Sequence, residues 1–385
     1  MKRLRIVYIS ASNPLNKRSW SGIHYHLYQA LNKHCGEVEI LGHPDFSLTL
    51  FFGKVKSFLA QKILGKRFAY KHSKVLAKRY ASYFNQKLSG KQFDVIFAPA
   101  ASAEIAYLRT SIPIISLSDT TFLNMVNYYL TFTNLTKGSF KQGTEIERRA
   151  LTNSSAIIYP SSWAASSAKR DYQIVPSKLN IIPLGANIND IPPAEDVINK
   201  QISSSCHLLF FGVDWHRKGG EVAFDAMVEL NKKGIDTTLL VCGCIPPQNF
   251  SHEKLSVIPF IDKNDPAQEK KLYTIFMNTT FLILPSKAEC FGIVFCEASA
   301  FGIPSITSDT GGIEGAVKTG VNGYRLPVNA GGSDYAQKIA EIFTDKTAYQ
   351  NLKKSSRALF DNSLNWDAWG QKTKEVFDRV LSLVN

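Results

Sequence analysis

The sequence predicts an α/β protein made of two doubly wound domains, each a parallel sheet with helices on both faces. With 385 residues the chain is long enough for about two domains. Apolar runs of strand length alternate with amphipathic helical stretches along the whole chain, a pattern typical of parallel sheets. Some runs, such as Phe281–Leu284, are continuously apolar, as expected for strands that are buried on both faces.

The predicted strands form two series of six, one in each half of the chain. The first series comprises residues 4–10, 38–41, 94–98, 112–117, 156–160 and 180–184, and the second comprises residues 207–212, 237–242, 255–260, 280–285, 304–308 and 323–326. Helices are predicted between them, for example over residues 23–33, 221–233 and 335–343. Ligands of such folds bind outside the carboxyl ends of the strands, so we expect a cleft where one ligand contacts both domains.

A stretch that contains Pro192-Pro193 and Ser203-Ser204-Ser205 separates the two series. This composition is typical of a linker. We therefore predict a first domain over residues 1–185, a linker over residues 186–205 that serves as a hinge, and a second domain over residues 206–369.

Positive charge is concentrated in the first half of the chain. The formal net charge is +13, and residues 1–190 hold 25 Lys and Arg against 10 Asp and Glu. Residues 51–90 contain ten basic residues and no acid, with apolar and aromatic residues at helical spacing. This pattern favours a helix at an anionic membrane surface, and the alternative is a solvated helix that covers the first sheet. We expect no nucleic-acid partner, because no recognisable reading motif accompanies the charge.

The sequence also indicates a cytoplasmic location. No window of about 18 apolar residues predicts a transmembrane helix. The apolar run near the first residue fits a strand better than a signal peptide. The six cysteines form no Cys-x-x-Cys pair, which argues against a zinc site or a disulfide framework and favours a reducing compartment.

Two glutamates, Glu289 and Glu297, follow the predicted strand that ends at Pro285. A helix is predicted to begin near Gly292, and the free N–H groups of a helix start can hold an anion. Eight residues of helix span at most about 12 Å, comparable to the distance from a sugar across a diphosphate to a ribose. The two carboxylates could therefore bind hydroxyls at both ends of a nucleotide sugar. The alternative is a surface Glu and an ordinary helical Glu.

Three further loops follow predicted strands. Arg217-Lys218-Gly219-Gly220 offers cations that suit phosphate oxygens, or else forms a solvated turn. The glycine pair of residues 308–315 allows close backbone approach to a ligand, or else forms a plain strand-to-helix turn. The loop over residues 13–22 precedes His24, a histidine that fits packing or the surface better than catalysis.

Several other chemistries lack their motifs. The sequence contains no Asp-x-Asp, which disfavours a metal-held diphosphate. It contains no Gly-x-Ser-x-Gly elbow and therefore no hydrolase nucleophile of that type. A P-loop is absent, and no Gly-x-Gly-x-x-Gly occupies the first strand-to-helix turn, so a nicotinamide site is not expected there.

Taken together, these segments resemble the retaining glycosyltransferases of the two-Rossmann (GT-B) type, specifically family 4, also called glycosyl transferases group 1. The resemblance covers nearly the whole chain. It is carried by Glu289-x7-Glu297, Ala300-Phe301-Gly302-Ile303-Pro304, Gly311-Gly312-Ile313-Glu314, Gly320-x-Asn322-Gly323-Tyr324, Ile182-Pro183-Leu184-Gly185-Ala186-Asn187 and Leu364-Asn365-Trp366-x-x-Trp369. It implies that the final helix, residues 370–385, crosses back onto the first domain.

The resemblance also implies roles for individual residues. Glu289 would contact the donor sugar, Glu297 the ribose hydroxyls, and Lys218 with Arg217 the diphosphate. The remaining donor-binding positions would be Gly22, Gly219, Cys290, Phe291, Gly292 and Ile293, with Pro259 and Phe260 beside the base. Members of this family generally work without a metal or other cofactor, because cations and helix N-termini stabilise the leaving diphosphate.

The sequence departs from the family at two places. Val213 takes the position of the family arginine, and Arg217 is the nearby substitute. The usual His-Asp pair of the first domain is replaced by Ser118-Asp119, so Asp119 is the candidate for the lost sugar contact. Ser118, Trp20 and His24 are further candidates on the acceptor or sugar side.

The resulting prediction is a retaining, metal-independent glycosyltransferase. It would move a sugar from a nucleoside diphosphate, UDP ahead of GDP, to a hydroxyl of a glycan in lipid-linked glycan, lipopolysaccharide or exopolysaccharide assembly. Two alternatives stay open: a nucleotide-sugar epimerase on the same fold, and a non-catalytic protein that binds anionic surfaces. Peripheral attachment to the inner face of a membrane would accompany a lipid-linked acceptor.

Overall fold

The computed structural model describes residues 3–42, 44–201 and 203–383. They form two compact units, Met1–Ile182 with Trp369–Asn385, and Pro183–Ala368. Each unit contains one six-stranded sheet in which every strand pair is parallel. The predicted fold class is therefore confirmed.

The sheet of the first unit has the strand order β2-β1-β3-β4-β5-β6. Its strands are β1 (Leu4–Tyr8), β2 (Gly36–Ile40), β3 (Val95–Pro99), β4 (Ile114–Leu117), β5 (Ala156–Tyr159) and β6 (Leu179–Ile181). The helices are α1 (Ile23–His34), α2 (Ser47–Leu64), α3 (Lys74–Leu88), α4 (Ser102–Ile105), α5 (Phe122–Met125), α6 (Lys137–Asn153) and α7 (Ser162–Tyr172). The central strands β3, β4 and β5 are buried at every position, which explains their continuous apolar sequences.

The sheet of the second unit has the strand order β12-β11-β10-β7-β8-β9. Its strands are β7 (Cys206–Phe211), β8 (Thr237–Cys242), β9 (Leu255–Ile258), β10 (Phe281–Leu284), β11 (Ser305–Ser308) and β12 (Gly323–Leu326). The helices are α8 (Ala194–Ile198), α9 (Gly220–Lys232), α10 (Pro266–Asn278), α11 (Ile293–Ala300), α12 (Gly332–Thr344) and α13 (Lys346–Asn362). The strands β11, β10 and β7 are adjacent, so the loops at their carboxyl ends lie side by side.

The last helix, α14 (Trp366–Ser382), belongs to the first unit from Trp369 onwards. The buried ring of Trp369 lies edge-on to Phe97 of β3, with 6.0 Å between ring centroids. Phe377, also of α14, packs on the Phe97 ring, with 6.1 Å between ring centroids. The C-terminal helix thus packs on the first sheet, as predicted.

The stretch predicted as a linker, residues 186–205, lies within the second unit. It contains α8, whose Val197 is buried. The Arg357 guanidinium of α13 donates a hydrogen bond of 2.7 Å to the Pro192 carbonyl. These contacts explain why this part of the chain packs with the second sheet, and its role as a hinge stays a prediction.

Two buried carboxyl groups of the first unit, Glu104 and Glu147, have unusual pKa values. Burial raises the pKa of each to about 7. Glu104 accepts a hydrogen bond of 3.0 Å from the Ala11 N–H, and Glu147 on α6 is paired with the Ser102 hydroxyl. Between about pH 4.5 and 7 the folded state therefore holds protons that the unfolded state has lost, so stability falls as the pH rises through this window.

We expect Glu147→Gln to remove part of this pH dependence. With a pKa raised from 4.5 to about 7, the wild type should lose about 2–3 kcal/mol more unfolding free energy than the variant between pH 5 and pH 8. Urea unfolding of both proteins at the two pH values measures the difference. The matched control is Glu145→Gln on the same helix, because Glu145 is partly exposed and pairs with Arg149 at 2.5 Å. An equal pH dependence in wild type and Glu147→Gln would contradict the assignment.

Candidate active site

The predicted site residues of the second unit lie together at the carboxyl ends of β7 and β10. The Lys218 ammonium forms an ion pair with the Glu289 carboxylate, although the two residues are 71 positions apart in the chain. The Arg217 guanidinium donates to the Ala288 carbonyl at 2.8 Å and lies 3.6 Å from Glu289 Oε2. Lys218 is buried, and Glu289 and Arg217 are partly buried, so these charges interact in a sheltered environment. The structure thus brings together the Arg217-Lys218 loop and Glu289, which the sequence analysis proposed as separate segments.

Glycine permits the close packing of these two loops. Gly219 has a φ of +76°, and a Cβ atom there would lie 2.1 Å from the Pro285 carbonyl oxygen. The Lys287 N–H donates to the Arg217 carbonyl at 2.8 Å, which joins the loops a second time. A side chain at Gly219 would force the Lys218 loop away from Glu289.

Helix α11 begins beside Glu289. Its N-cap, Gly292, has a φ of +85°, and a Cβ there would lie 2.5 Å from the Phe295 ring. The neighbouring Cys290 and Phe291 are buried, while Ile293, the first residue of the helix, is partly exposed. This helix start places N–H groups next to the Lys218–Glu289 pair, where they favour an anion.

The predicted glycine loop of residues 308–315 reaches the same place. The Gly312 N–H donates a hydrogen bond of 3.1 Å to the Glu289 carbonyl. Gly311 adopts a φ of +56°, a conformation that favours glycine. Three of the four predicted loops therefore meet at the adjacent carboxyl ends of β11, β10 and β7.

Glu297 lies on α11 and is fully buried. Its Oε1 atom accepts a hydrogen bond from the Lys263 ammonium, whereas its Oε2 atom has no hydrogen-bond partner of normal geometry in the described structure. Burial raises the pKa of Glu297, and the Lys263 charge and the Asn187 backbone N–H oppose that shift. A buried carboxylate oxygen with unused acceptor capacity is suited to bind a hydroxyl group.

Sequence reasoning missed Lys263, the partner of Glu297. Its ammonium also lies 5.3 Å from the centre of the Phe211 ring. The available signal was its position shortly after β9, where polar residues of a doubly wound sheet face the ligand side. Its pairing with a residue 34 positions away depends on where the loop after β9 lies relative to α11 and could not be predicted from the sequence.

Apolar side chains stand exposed beyond the carboxyl ends of β7, β8 and β9. Val213, Ile245 and Phe260 are respectively 77%, 71% and 63% exposed, and Pro259 is exposed next to Phe260. Because these three strands are adjacent, the side chains follow neighbouring strand ends. Such an exposed apolar strip offers a surface for a planar base.

The candidates of the first unit form a separate cluster. The Trp20 indole donates a hydrogen bond of 3.3 Å to Asp119 Oδ2, and Trp20, Ser21 and Gly22 have φ values of 48°, 56° and 88°. The Ser118 hydroxyl donates to the Thr120 carbonyl at 2.8 Å. Strained non-glycine residues of this kind are concentrated at functional sites. The contact of Gly22 with a diphosphate stays a prediction.

His24 is packed in the interior of the first unit. It is buried, its Nδ1 atom lies 2.7 Å from the Tyr8 hydroxyl, and its ring packs 5.3 Å from that of Trp20. Burial lowers the pKa of His24 to about 4, so the ring is neutral near pH 7. These contacts agree with the packing role favoured for His24. One of them is with the Trp20 ring.

Across residues 3–42, 44–201 and 203–383, no three His, Cys, Asp or Glu side chains cluster as metal ligands. Metal independence stays a prediction. The polar groups that converge at the candidate site are instead a lysine, an arginine, a carboxylate and a helix start. This set can neutralise a polyanion and bind sugar hydroxyls.

Comparison with known proteins finds similarity to glycosyltransferases. Residues 200–359 match the sequence model of the family described as glycosyl transferases group 1. The chain is similar to D-inositol 3-phosphate glycosyltransferase of Paenarthrobacter aurescens (strain TC1), with 22% identity over 249 residues. That alignment covers 62% of this chain and 60% of the relative, so the chain spans about three fifths of the relative's length.

Two solved structures show the same fold over nearly the whole chain. Sucrose-phosphate synthase from Thermosynechococcus elongatus has a TM-score of 0.69 and 16% identity, with 99% of this chain and 100% of that chain covered. Anabaena Alr3699/HepE, solved in complex with UDP and glucose, has a TM-score of 0.62 and 13% identity, with 98% and 100% covered. Residues 200–359 thus match the glycosyl transferases group 1 family, and the chain as a whole has the GT-B fold of glycosyltransferases.

Proposed function

We propose that this protein is a retaining, metal-independent glycosyltransferase of family 4. It would transfer a sugar from a nucleoside diphosphate to a hydroxyl of an acceptor glycan. The observation that carries the proposal is the Lys218–Glu289 pair at the start of α11, where a cation, a carboxylate and the first N–H groups of a helix converge. Diphosphate and sugar hydroxyls are the two chemical groups that this combination recognises together.

The donor fits the order of groups along this edge of the sheet. Lys218, Arg217 and the start of α11 bind the diphosphate, and Glu289 accepts hydrogen bonds from the sugar hydroxyls. Glu297 accepts hydrogen bonds from the ribose through Oε2, the oxygen that has no partner of normal geometry. The base lies against Pro259 and Phe260. Lys218 forms an ion pair with Glu289. The same ammonium therefore binds the phosphate and orients the carboxylate that binds the sugar.

In the proposed reaction the bond between the anomeric carbon and the diphosphate oxygen breaks, and a bond to the acceptor oxygen forms on the same face. The acceptor proton passes to the departing phosphate oxygen, so atoms and charges balance without a protein base. Lys218, Arg217 and the α11 start stabilise the charge that grows on the diphosphate. The remaining contribution of the protein is to position donor and acceptor. Asp119, held by Trp20, is the proposed sugar contact of the first unit.

Uridine is the proposed base, because the Anabaena relative of the same fold was solved with UDP and glucose. The proposed acceptor is a glycan of lipid-linked, lipopolysaccharide or exopolysaccharide assembly. A peripheral position on the cytoplasmic side of an anionic membrane belongs to the same proposal. It is supported by the ten basic residues and absent acids of residues 51–90.

A thermal-shift screen across nucleoside diphosphates tests donor binding. At 100 times its dissociation constant, the correct nucleotide is expected to stabilise the protein by about 2.7 kcal/mol. This corresponds to an increase in melting temperature of about 5–11 °C for a unit of this size. UDP should act at lower concentration than GDP. The Glu297→Ala variant serves as the control, because its smaller shift places the nucleotide at this site.

Absence of a shift with every nucleoside diphosphate would contradict the donor proposal. Turnover of the stabilising nucleotide's sugar derivative, measured with and without a glycan acceptor, then separates the activities. Transfer that requires the acceptor supports a glycosyltransferase. Donor isomerisation without an acceptor would identify an epimerase, and binding without turnover would identify a non-catalytic protein.

A further inference from the structure

Helix α2 (Ser47–Leu64) presents its large apolar side chains outward. None of its 18 residues is buried. Besides Leu64, the last residue of the helix, seven large apolar side chains are between 39% and 74% exposed: Leu48, Phe51, Phe52, Val55, Phe58, Leu59 and Ile63. Their spacing of three and four residues places them on one face of the helix, the outward face.

The opposite face packs on the first unit through smaller side chains. Thr49, Leu50, Gly53, Ser57 and Ala60 are partly buried. A Cβ at Gly53 would lie 2.8 Å from Tyr70 Cβ, and the Thr49 hydroxyl accepts a hydrogen bond of 2.5 Å from Arg79. A surface helix of a globular protein normally buries its large apolar residues. In α2 this arrangement is inverted, so folding of the unit alone does not account for the outward face.

The neighbouring helix α3 has the ordinary arrangement. Its apolar residues Leu76, Ala77, Tyr80, Ala81, Phe84 and Leu88 are buried in the first unit. The basic segment of residues 51–90 therefore divides into a core helix and an outward apolar helix. Only α2 combines the charge with a large exposed apolar surface.

Positive charge borders the outward face. On a helix of 3.6 residues per turn, Lys54 and Lys56 fall on the two edges of this face, and Lys62 falls within it in the last turn of the helix. Lys66 and Arg67 follow directly, and residues 46–93 contain eleven Lys and Arg and no Asp or Glu. Lysine stems can lie along apolar surface while their ammonium groups stay in water. The face is thus complementary to a surface that is apolar inside and anionic at its rim.

We infer that α2 lies flat in the headgroup region of an anionic bilayer, with its outward face inserted among the acyl chains. No helix in the described part of the chain is long and apolar enough to cross a membrane. An amphipathic helix with a basic border instead lies in the plane of the interface. This inference rests on the proposed membrane location and assigns it to one helix.

A second copy of the chain is the competing occupant. In a two-fold symmetric dimer each outward face would meet its own copy. The lysine borders would then face lysine borders without an acid nearby to compensate. Like charges so placed repel, so the bilayer is the better match.

Flotation of the full chain with lipid vesicles tests the inference. We expect binding to vesicles of phosphatidylcholine with phosphatidylglycerol and little binding to phosphatidylcholine alone. The double variant Phe52→Ser/Phe58→Ser should weaken partition at least tenfold, because two exposed rings no longer insert. Lys54→Gln/Lys56→Gln should weaken it about 25-fold, at about fivefold for each charge. High salt should reduce the binding of the wild type.

Matched controls separate insertion from general changes in polarity and charge. Val175→Ser removes an exposed apolar side chain of the first unit outside α2, and Lys169→Gln removes an exposed charge on α7. Both should bind vesicles like the wild type. The α2 side chains concerned are exposed, so circular dichroism and melting temperature should stay unchanged in all variants. Unaltered vesicle binding by Phe52→Ser/Phe58→Ser would overturn the inference.

Two further outcomes would also overturn it. One is absence of binding to anionic vesicles at low salt. The other is a dimer, detected by light scattering, that dissociates in Phe52→Ser/Phe58→Ser, because it would assign the face to a second copy. Donor turnover in vesicle-free solution tests the proposed enzyme independently. The α2 variants should leave that turnover unchanged, so failure of either proposal is recognised separately.

Discussion

Lys218→Ala is expected to lower donor turnover by about 10²–10³-fold, the loss seen when one stabiliser of a developing oxyanion is removed. The physical reason is that negative charge grows on the diphosphate as the sugar bond breaks. Lys218 is buried beside Glu289, where an ammonium interacts more strongly than in bulk water. The measurement is kcat with the sugar derivative of the nucleotide that stabilises the protein.

Three comparisons make this result specific. Lys287→Ala removes an exposed lysine of the adjoining loop, which pairs with Glu221 at 3.3 Å, and should leave kcat unchanged. Arg217→Ala should cost less than Lys218→Ala, because the guanidinium is also engaged by Asp214 and the Ala288 carbonyl. Melting curves show whether the Lys218→Ala protein is destabilised because Glu289 has lost its lysine partner. A folded Lys218→Ala protein with normal kcat would refute the role in charge stabilisation.

The Glu297→Ala variant should raise the donor KM by about 10–100-fold, the value of a hydrogen bond to a charged group. Its kcat should change much less, because Glu297 lies on α11, eight residues beyond Glu289, and binds the ribose equally well throughout the reaction. Lys263 is partly exposed, so water can solvate its ammonium once the carboxylate is gone. The substitution is therefore expected to preserve the fold.

The pH dependence provides a second test of Glu297. Because burial raises the pKa of this carboxyl, lowering the pH protonates it and should raise the donor KM. Glu297→Gln should lack that dependence, and Glu253→Ala, which removes an exposed glutamate after β8, should behave like the wild type. A normal KM with a large fall in kcat would contradict the ribose role.

The alternation of apolar runs and helices was sufficient to predict both sheets. Twelve strands were predicted and twelve occur among the described residues, because a strand covered on both faces needs a continuous apolar sequence. The strand-end loops that contain Lys218 and Glu289 could be proposed for the same reason, since ligand sites follow parallel strands at their carboxyl ends.

The sequence could not predict that residues 51–90 divide into a core helix and a helix with an outward apolar face. Both α2 and α3 show apolar residues at helical spacing with lysines between them. Which face of α2 is covered depends on its contacts with Tyr70 and Arg79, which come later in the chain. Which face of α3 is covered depends on packing against the first sheet. Similarly, the sequence predicted a linker over residues 186–205 but not that this stretch packs against α13 within the second unit.

The sequence by itself determined the fold class, the C-terminal helix of the first unit and the candidate residues Lys218, Glu289 and Glu297. These follow from patterns that are local in the chain: periodicity, glycine loops and motif spacing. The tertiary structure alone decided that Lys218 holds Glu289, that Lys263 holds Glu297, and that α2 turns its large apolar face outward. The physical reason is that ion pairing and burial depend on which distant segments the sheet order places next to each other.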